Sequence, residues 1–348
     1  MDKQLCRIKV STTAPYVLPG FPLLRQTESG KGRWGKFQFF VNEPIEECDA
    51  WFIYDGFSEP QQALCPPENV VLITAEPPAF KFYPGSWLRQ FRHVISCQRN
   101  LRHPDLHLSH MALPWFVNKA YDELIRSDFP EKTRDLSIIC STKRLMKWQR
   151  QRLTFIEALK TLEGVRIDFY GRGLVNLLDD KWDGLAPYRF SIALENSIHP
   201  DYWTEKIGDC FLAGTVPIYC GCPNINQYFP DRAFELIDIT DVAGSLERIP
   251  RLLASSDYTQ RLPALRQARD LVLNRYNLFN LMADFCQQLS LTASATMIRL
   301  QPEPKPSRFV KNLRKWRRAY WGYRPWFASA SRPMACDKAP EVLYKRLT

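Results

Sequence analysis

The chain of 348 residues predicts an α/β protein built as two lobes. Its first third carries short apolar runs rich in β-branched and aromatic residues, separated by proline-rich connections, and its middle alternates such runs with stretches of helical period. The length suits two domains at roughly 150 residues each, every one able to bury its own core. Regular strand–helix alternation specifies a parallel sheet covered on both faces, with ligands at the carboxyl ends of the strands.

The first lobe is expected over 1–130, from the runs CRIKV (6–10), AWFIY (50–54), NVVLITA (69–75) and HVISC (93–97), followed by a strand in MALPWF (111–116). The polar stretch 118–134 reads as the link between lobes. The second lobe is expected over 131–300: a strand LSIIC (136–140), a helix over about 147–160, strands VRIDFY (165–170) and FSIAL (190–194), a helix over about 203–213, and strands VPIYC (216–220) and FELIDI (234–239), with helical segments across 242–292. Residues 301–348 form a separate basic tail.

The formal net charge of +10 belongs to that tail, which holds 12 Lys and Arg against 3 Asp and Glu, while residues 1–300 hold 35 against 34. A balanced body argues against a nucleic-acid groove, and nucleic acid is not an expected partner. Ten scattered cysteines without a C-x-x-C pair read as reduced thiols rather than a disulfide framework or zinc ligands. The start MDKQLCRIKV lacks the apolar core of a signal peptide and no run approaches membrane-spanning length, so the expected location is the cytoplasm.

The segment 188–221 concentrates chemistry. A strand runs into Glu195, Asn196 and Ser197, and a short loop then opens a helix that Asp201 or Thr204 can cap, with Lys206 in its first turn and Gly214 at its end. A helix start with an added cation suits an anionic group such as a diphosphate.

This segment resembles the donor-binding signature of the alpha-1,3/1,4-fucosyltransferase family: Leu194-Glu195-Asn196-Ser197, then Asp201-Tyr202-Trp203-Thr204-Glu205-Lys206, then Pro217 to Gly221, with Leu194 where the family usually has Phe. Upstream, Arg152–Leu159 followed by Val165–Gly173 is similar to the family's arginine-started helix and V-D-x-Y-G-x-x-G turn, and Arg152 is the residue it offers as a diphosphate clamp. The alternative for Arg152 is a surface charge within a basic run; Gly171 and Gly173 permit a tight turn near a nucleotide. In the first lobe, Val70–Glu76 followed by two prolines resembles the place of the family's general base, with Pro77 where Ser is usual; the alternative is an acid that merely follows a strand. The likeness is strong over about 135–240, thin over 65–115 and absent after 300.

The resemblance implies two Rossmann-like domains facing a cleft, the GT-B type. It implies an inverting transfer of L-fucose from GDP-fucose to a glycan hydroxyl, such as the 3-hydroxyl of N-acetylglucosamine. In that scheme Glu76 is the catalytic base, Arg152 and Lys206 neutralise the diphosphate, Glu205 holds sugar hydroxyls, and Gly171, Glu195, Asn196, Ser197 and Tyr202 complete the donor pocket. No metal cofactor is required, although manganese could stimulate. Competing readings are an inactive nucleotide-sugar-binding protein and a membrane-surface scaffold.

Two weaker constellations carry no assigned site. His103, His107 and His110 would align as metal ligands only on a helix, which Pro104 and the expected strand at 111–116 oppose. Asp179, Asp180 and Asp183 read as a solvated loop. If 308–321 is helical, Phe309, Leu313, Trp316 and Tyr320 form a stripe amid Lys311, Arg314, Lys315, Arg317 and Arg318. Such a helix either lies on an anionic membrane, at the inner face and near lipid-linked glycan acceptors, or docks on the protein body.

Overall fold

The computed structural model describes residues 5–13, 23–142 and 147–304, apart from 172, 175 and 256. The tail helix expected at 308–321 lies outside the described residues. Among the described residues no helix is long and apolar enough to cross a membrane.

In the first lobe, strands β1 (Cys6–Thr12), β2 (Arg33–Trp34), β3 (Phe37–Val41), β4 (Ala50–Tyr54), β5 (Gln61–Cys65), β6 (Val70–Ile73), β7 (His93–Ser96) and β8 (Leu106–Leu108) are joined, among the described residues, by two 3-10 turns and one short α-helix, α1 (Gly85–Leu88). Seven of these strands form one sheet in the order β2-β3-β1-β4-β6-β7-β8, parallel except for the β2–β3 pair. The strands read as continuous apolar runs because both faces are buried. Ile8, Val10, Phe52, Val71, Ile73 and Ile95 face one core; Trp51, Ile53, Val70, Leu72 and Val94 face the other. The strand expected at 111–116 is irregular backbone, and the edge of the sheet is instead the three-residue β8.

After α2 (Tyr121–Arg126) the second lobe runs β9 (Arg134–Ile139), α3 (Lys147–Leu159), β10 (Ile167–Tyr170), β11 (Tyr188–Leu194), α4 (Glu205–Leu212), β12 (Val216–Cys220), β13 (Glu235–Leu236), α5 (Val242–Ala254) and α6 (Tyr258–Asp270). Its sheet, β10-β9-β11-β12-β13, is parallel throughout. The link segment is more than a tether, since Leu124 of α2 is buried in the second-lobe core and its carbonyl accepts a bond from Arg269.

The expected end of the second lobe needs correction. After a wider π-helical turn at Leu271–Arg275, α7 (Leu278–Cys286) places Leu278, Phe279, Met282, Ala283 and Phe285 in the first-lobe core, and β14 (Thr296–Leu300) pairs antiparallel with β5. Residues 278–300 therefore belong to the first lobe. Helix α7 covers the sheet face opposite the one on which Trp87 and Leu88 of α1 pack.

Candidate active site

The carboxyl ends of the two sheets meet. At the second lobe, Thr204 rather than Asp201 caps α4: its hydroxyl accepts from the Lys206 N–H at 3.2 Å. Asp201 instead accepts from Arg99 of the first lobe at 2.7 Å, from Asn224 at 2.7 Å and from Tyr228 at 2.8 Å, tying the lobes together at a residue with φ of 64°.

Glu195, at the end of β11, is fully buried. Its carboxylate accepts from the Thr204 N–H at 2.8 Å and from the Thr204 hydroxyl at 2.8 Å, and lies 3.5 Å from Lys206 Nζ. Expected in the donor pocket, it stands behind the start of α4 and fixes Thr204 there. Burial pushes its carboxyl above the usual range, and Lys206 offsets part of that.

Lys206 Nζ also lies 3.3 Å from Glu205, and Lys181 Nζ lies 3.7 Å from Glu205 and 2.9 Å from the buried Asp209. Burial alone would raise the Glu205 carboxyl, but Lys206 and Lys181 outweigh it and hold the group at about 2. Burial likewise works against the charge of Lys206, and Glu205 and Glu195 more than restore it. Both groups therefore stay ionised at neutral pH. A carboxylate engaged with two ammonium groups is a positioning element for Lys206 as much as a holder of sugar hydroxyls.

Arg152 is a buried cation, not a surface charge, with a relative exposure of 1%. One terminal nitrogen donates to Asn196 Oδ1 at 2.7 Å and the other to the Ser141 carbonyl at 3.2 Å, while its Nε has no hydrogen-bond partner among the described residues. An incompletely satisfied buried guanidinium at the ends of β9 and β11 is suited to an oxyanion. Asn196 thus orients Arg152. Ser197 is buried beside it. At Gly171 the chain turns with φ of 126°, and a Cβ there would stand 2.0 Å from the Cys140 carbonyl oxygen, so only glycine lets the end of β10 pass that of β9. Tyr202 is buried with Cys97 and Met111 of the first lobe. Expected in the donor pocket, it packs between the lobes.

On the opposite side, Glu76 follows β6 and is partly buried. Gln98, after β7, donates to its carbonyl at 2.8 Å. Burial raises the Glu76 carboxyl to about 7, with Asp55 and Glu205 pushing it up and Lys81 and Lys206 pulling it down. Glu76 thus senses two charges of the opposite lobe. Asp55, at the end of β4 with φ of 63°, is itself engaged by Lys81 at 3.1 Å and by the Tyr83 hydroxyl at 2.5 Å.

Sequence reading missed Lys181, Asp209, Asp55, Lys81 and Arg99. A lysine between two aspartates in a loop gives no sign that it reaches a helix 28 residues on. Of the acids near it, Asp180 accepts from the N–H groups of Trp182 and Asn118, a turn and linker role consistent with a loop. The three histidines do not converge: His103 bonds to the carbonyls of Asp105 and Phe91, whereas His110 is buried against Trp203, which lowers its pKa to about 3 by desolvation.

Two parallel-sheet lobes whose strand ends carry an acid on one side and a cation-lined helix start on the other define the GT-B architecture. Residues 129–261 match the family model described as glycosyltransferase family 10 (fucosyltransferase), C-terminal part. This segment of the chain is therefore similar to the C-terminal part of that fucosyltransferase family. Among relatives, a GDP-fucose protein O-fucosyltransferase 3 of Danio rerio is 33% identical over 97 residues, covering 24% of this chain and 21% of the relative. A 4-galactosyl-N-acetylglucosaminide 3-alpha-L-fucosyltransferase 9 of Mus musculus is 36% identical over 76 residues, covering 21% of each chain. The chain thus spans about a fifth of the length of these curated relatives. A solved alpha1,3-fucosyltransferase with GDP-fucose superposes with a TM-score of 0.49 at 17% identity, covering 82% of this chain and 90% of that one.

Proposed function

We propose that the chain transfers L-fucose from GDP-fucose to a hydroxyl of a glycan acceptor, with inversion to the alpha linkage. The single observation that carries this reading is the pairing across the cleft: a carboxyl raised to about 7 on one lobe, acted on by the Lys206–Glu205 pair of the other. A base with that affinity for protons is half ionised near neutrality, which is where general-base efficiency is greatest. Glu76 accepts the proton of the acceptor hydroxyl as its oxygen forms a bond to the anomeric carbon. The bond from that carbon to the diphosphate oxygen breaks, and GDP leaves. Arg152 and Lys206 meet the negative charge that grows on the leaving group, a stabilisation that acts most strongly in the transition state. The match of residues 129–261 to the fucosyltransferase family model and the names of the relatives support fucose as the sugar and a glycan or glycosylated protein as the acceptor class. The basic, aromatic sequence of the tail supports work at the cytoplasmic face of an anionic membrane on lipid-linked glycans.

The test is a transfer assay with GDP-fucose over a glycan array, with GDP release measured in parallel. Transfer to a 3-hydroxyl of N-acetylglucosamine-type acceptors is the expected result. Stabilisation by a UDP-sugar with no response to GDP overturns the donor, and tight GDP-fucose binding with no turnover on any acceptor turns the reading into a sugar-nucleotide-binding protein.

A further inference from the structure

The edge of the first sheet holds a second group of ligating side chains, at the opposite end of β7 from the cleft. His93 opens β7, while Ser96 and Gln98, the latter bound to Glu76, lie at its far end, roughly 10 Å away at the usual rise per residue. In the neighbouring strand His107 pairs in register with Ile95, which makes it the diagonal neighbour of His93 on the same face. Asp105, just before β8, stands between them. Its Oδ2 lies 2.7 Å from His93 Nδ1 and its Oδ1 2.7 Å from His107 Nε2. One ligating atom from each of the three lies within 4.8 Å of the others.

The hydrogen bonding around this group is what makes it more than an ion pair. His93 Nε2 is 2.9 Å from the Glu68 carbonyl oxygen, which can only accept, so Nε2 carries the proton. A neutral His93 then turns the bare lone pair of Nδ1 towards a carboxylate oxygen, acceptor against acceptor. Something positive has to stand between them, either a second proton or a metal ion. His107 Nε2 is buried and close to Oδ1 but is not aligned with it as a hydrogen bond, and it has no hydrogen-bond partner among the described residues. Phe285 of α7 packs edge-on against both imidazoles, at 5.3 and 4.9 Å between ring centroids, and fixes their planes.

We propose that His93 Nδ1, Asp105 and His107 Nε2 bind a zinc-class divalent cation. Two imidazoles and one carboxylate oxygen are a donor set for zinc, with a fourth, solvent position open because the side chains are 16 to 35% exposed. The Glu68 carbonyl is the outer-shell acceptor that holds the His93 tautomer. Accommodating an ion at bonds of about 2.0–2.1 Å needs the nitrogen–oxygen separations to open to about 3.3 Å, a small side-chain rotation. The ion's work is mechanical: it staples a three-residue edge strand to β7, and that strand leads directly into the segment that crosses to the second lobe. The donor and base residues are not among its ligands.

The full chain, stripped with a chelator and dialysed, is titrated with zinc chloride against a chromophoric chelator, and separately with cobalt chloride followed by visible absorption. One equivalent of zinc, a tetrahedral cobalt spectrum and a rise in Tm on loading are expected. Asp105→Asn and His107→Gln should weaken zinc by at least 100-fold, whereas His199→Gln, a histidine of the second lobe that bonds to the Pro200 carbonyl, should bind as the parent does. Absence of stoichiometric binding by the parent overturns the proposal whatever the variants do, as does full retention of the ion in a folded His107→Gln.

Discussion

Glu76 and Glu205 are the same residue type, stand at the carboxyl ends of facing sheets and are both largely withdrawn from water, yet one titrates near 7 and the other near 2. Burial raises both. The difference lies in their neighbours: Glu205 has Lys206 and Lys181 at 3.3 and 3.7 Å, whereas the ammonium next to Glu76, Lys81, is already committed to Asp55 at 3.1 Å. A carboxylate with its own cations is held charged and serves structure and electrostatics. A carboxylate whose nearest cation is engaged elsewhere keeps its appetite for a proton.

The largest effect that tests this division is loss of the base. Glu76→Gln keeps shape and removes basicity, so turnover should fall by about 10²–10⁴-fold with donor affinity nearly unchanged. Steady-state transfer rates together with GDP titration by calorimetry check it; a variant within a few-fold of the parent assigns the proton to another group.

Next comes Lys206→Met. It removes the cation facing the diphosphate, and a loss of about 10²–10³ in kcat is expected, the scale of a lost transition-state donor. Unlike the Glu76 variant it should also weaken GDP and destabilise the fold, because Glu195 and Glu205 are left with less compensation in a buried site. If GDP affinity is unaffected, Lys206 serves only to balance the two glutamates.

A smaller effect sharpens the same contrast. The acid limb of kcat/KM should fall with an apparent pKa of about 7, set by Glu76. Lys81→Met removes a charge that lowers that value and leaves Asp55, which raises it, less neutralised, so the limb should move to higher pH. A pH profile that does not move, or moves down, breaks the link between Asp55, Lys81 and the base.

How much of this was legible before the structure depends on how local each feature is. Strands β9, β11 and β12 show as apolar runs because both faces are covered, and the start of α4 shows because capping chemistry acts over a few residues. The returning segment is different. Leu278, Phe279 and Met282 carry a helical period that says apolar face without saying which core, and their partners are Phe39, Phe52 and Val71, more than 200 residues away. The same distance hides the site's wiring: the motif names Glu195, but its spacing cannot say that the side chain turns inward to Thr204 instead of outward to a ligand. His107 likewise drew notice for its spacing from His103 and His110, while its actual neighbours come from an adjacent strand and from the turn before its own.

The smallest expected effect is on stability, and it has a sign that separates a functional acid from a structural one. The Glu76 carboxyl is raised in the folded chain above its ordinary value of 4.5, so the folded state binds this proton more tightly than the unfolded state does. Its contribution to stability is full below the ordinary carboxylate range and is lost as pH rises through about 7. Above that pH the protein carries an ionised, partly buried carboxylate that the fold does not favour. Glu76→Gln should therefore raise Tm at pH 8 by about 2–4 °C, the shift that roughly 1 kcal/mol produces in a domain of this size, and raise it less at pH 5. Glu205→Gln should do the reverse and lower Tm at pH 8, since its carboxyl is held down at about 2 by two lysines and its charge is part of what the fold is built on. Thermal melts of both variants at the two pH values decide the matter. A Glu76→Gln protein that is less stable than the parent at pH 8 would mean that the acid of the first lobe is held by its surroundings as firmly as the acid of the second.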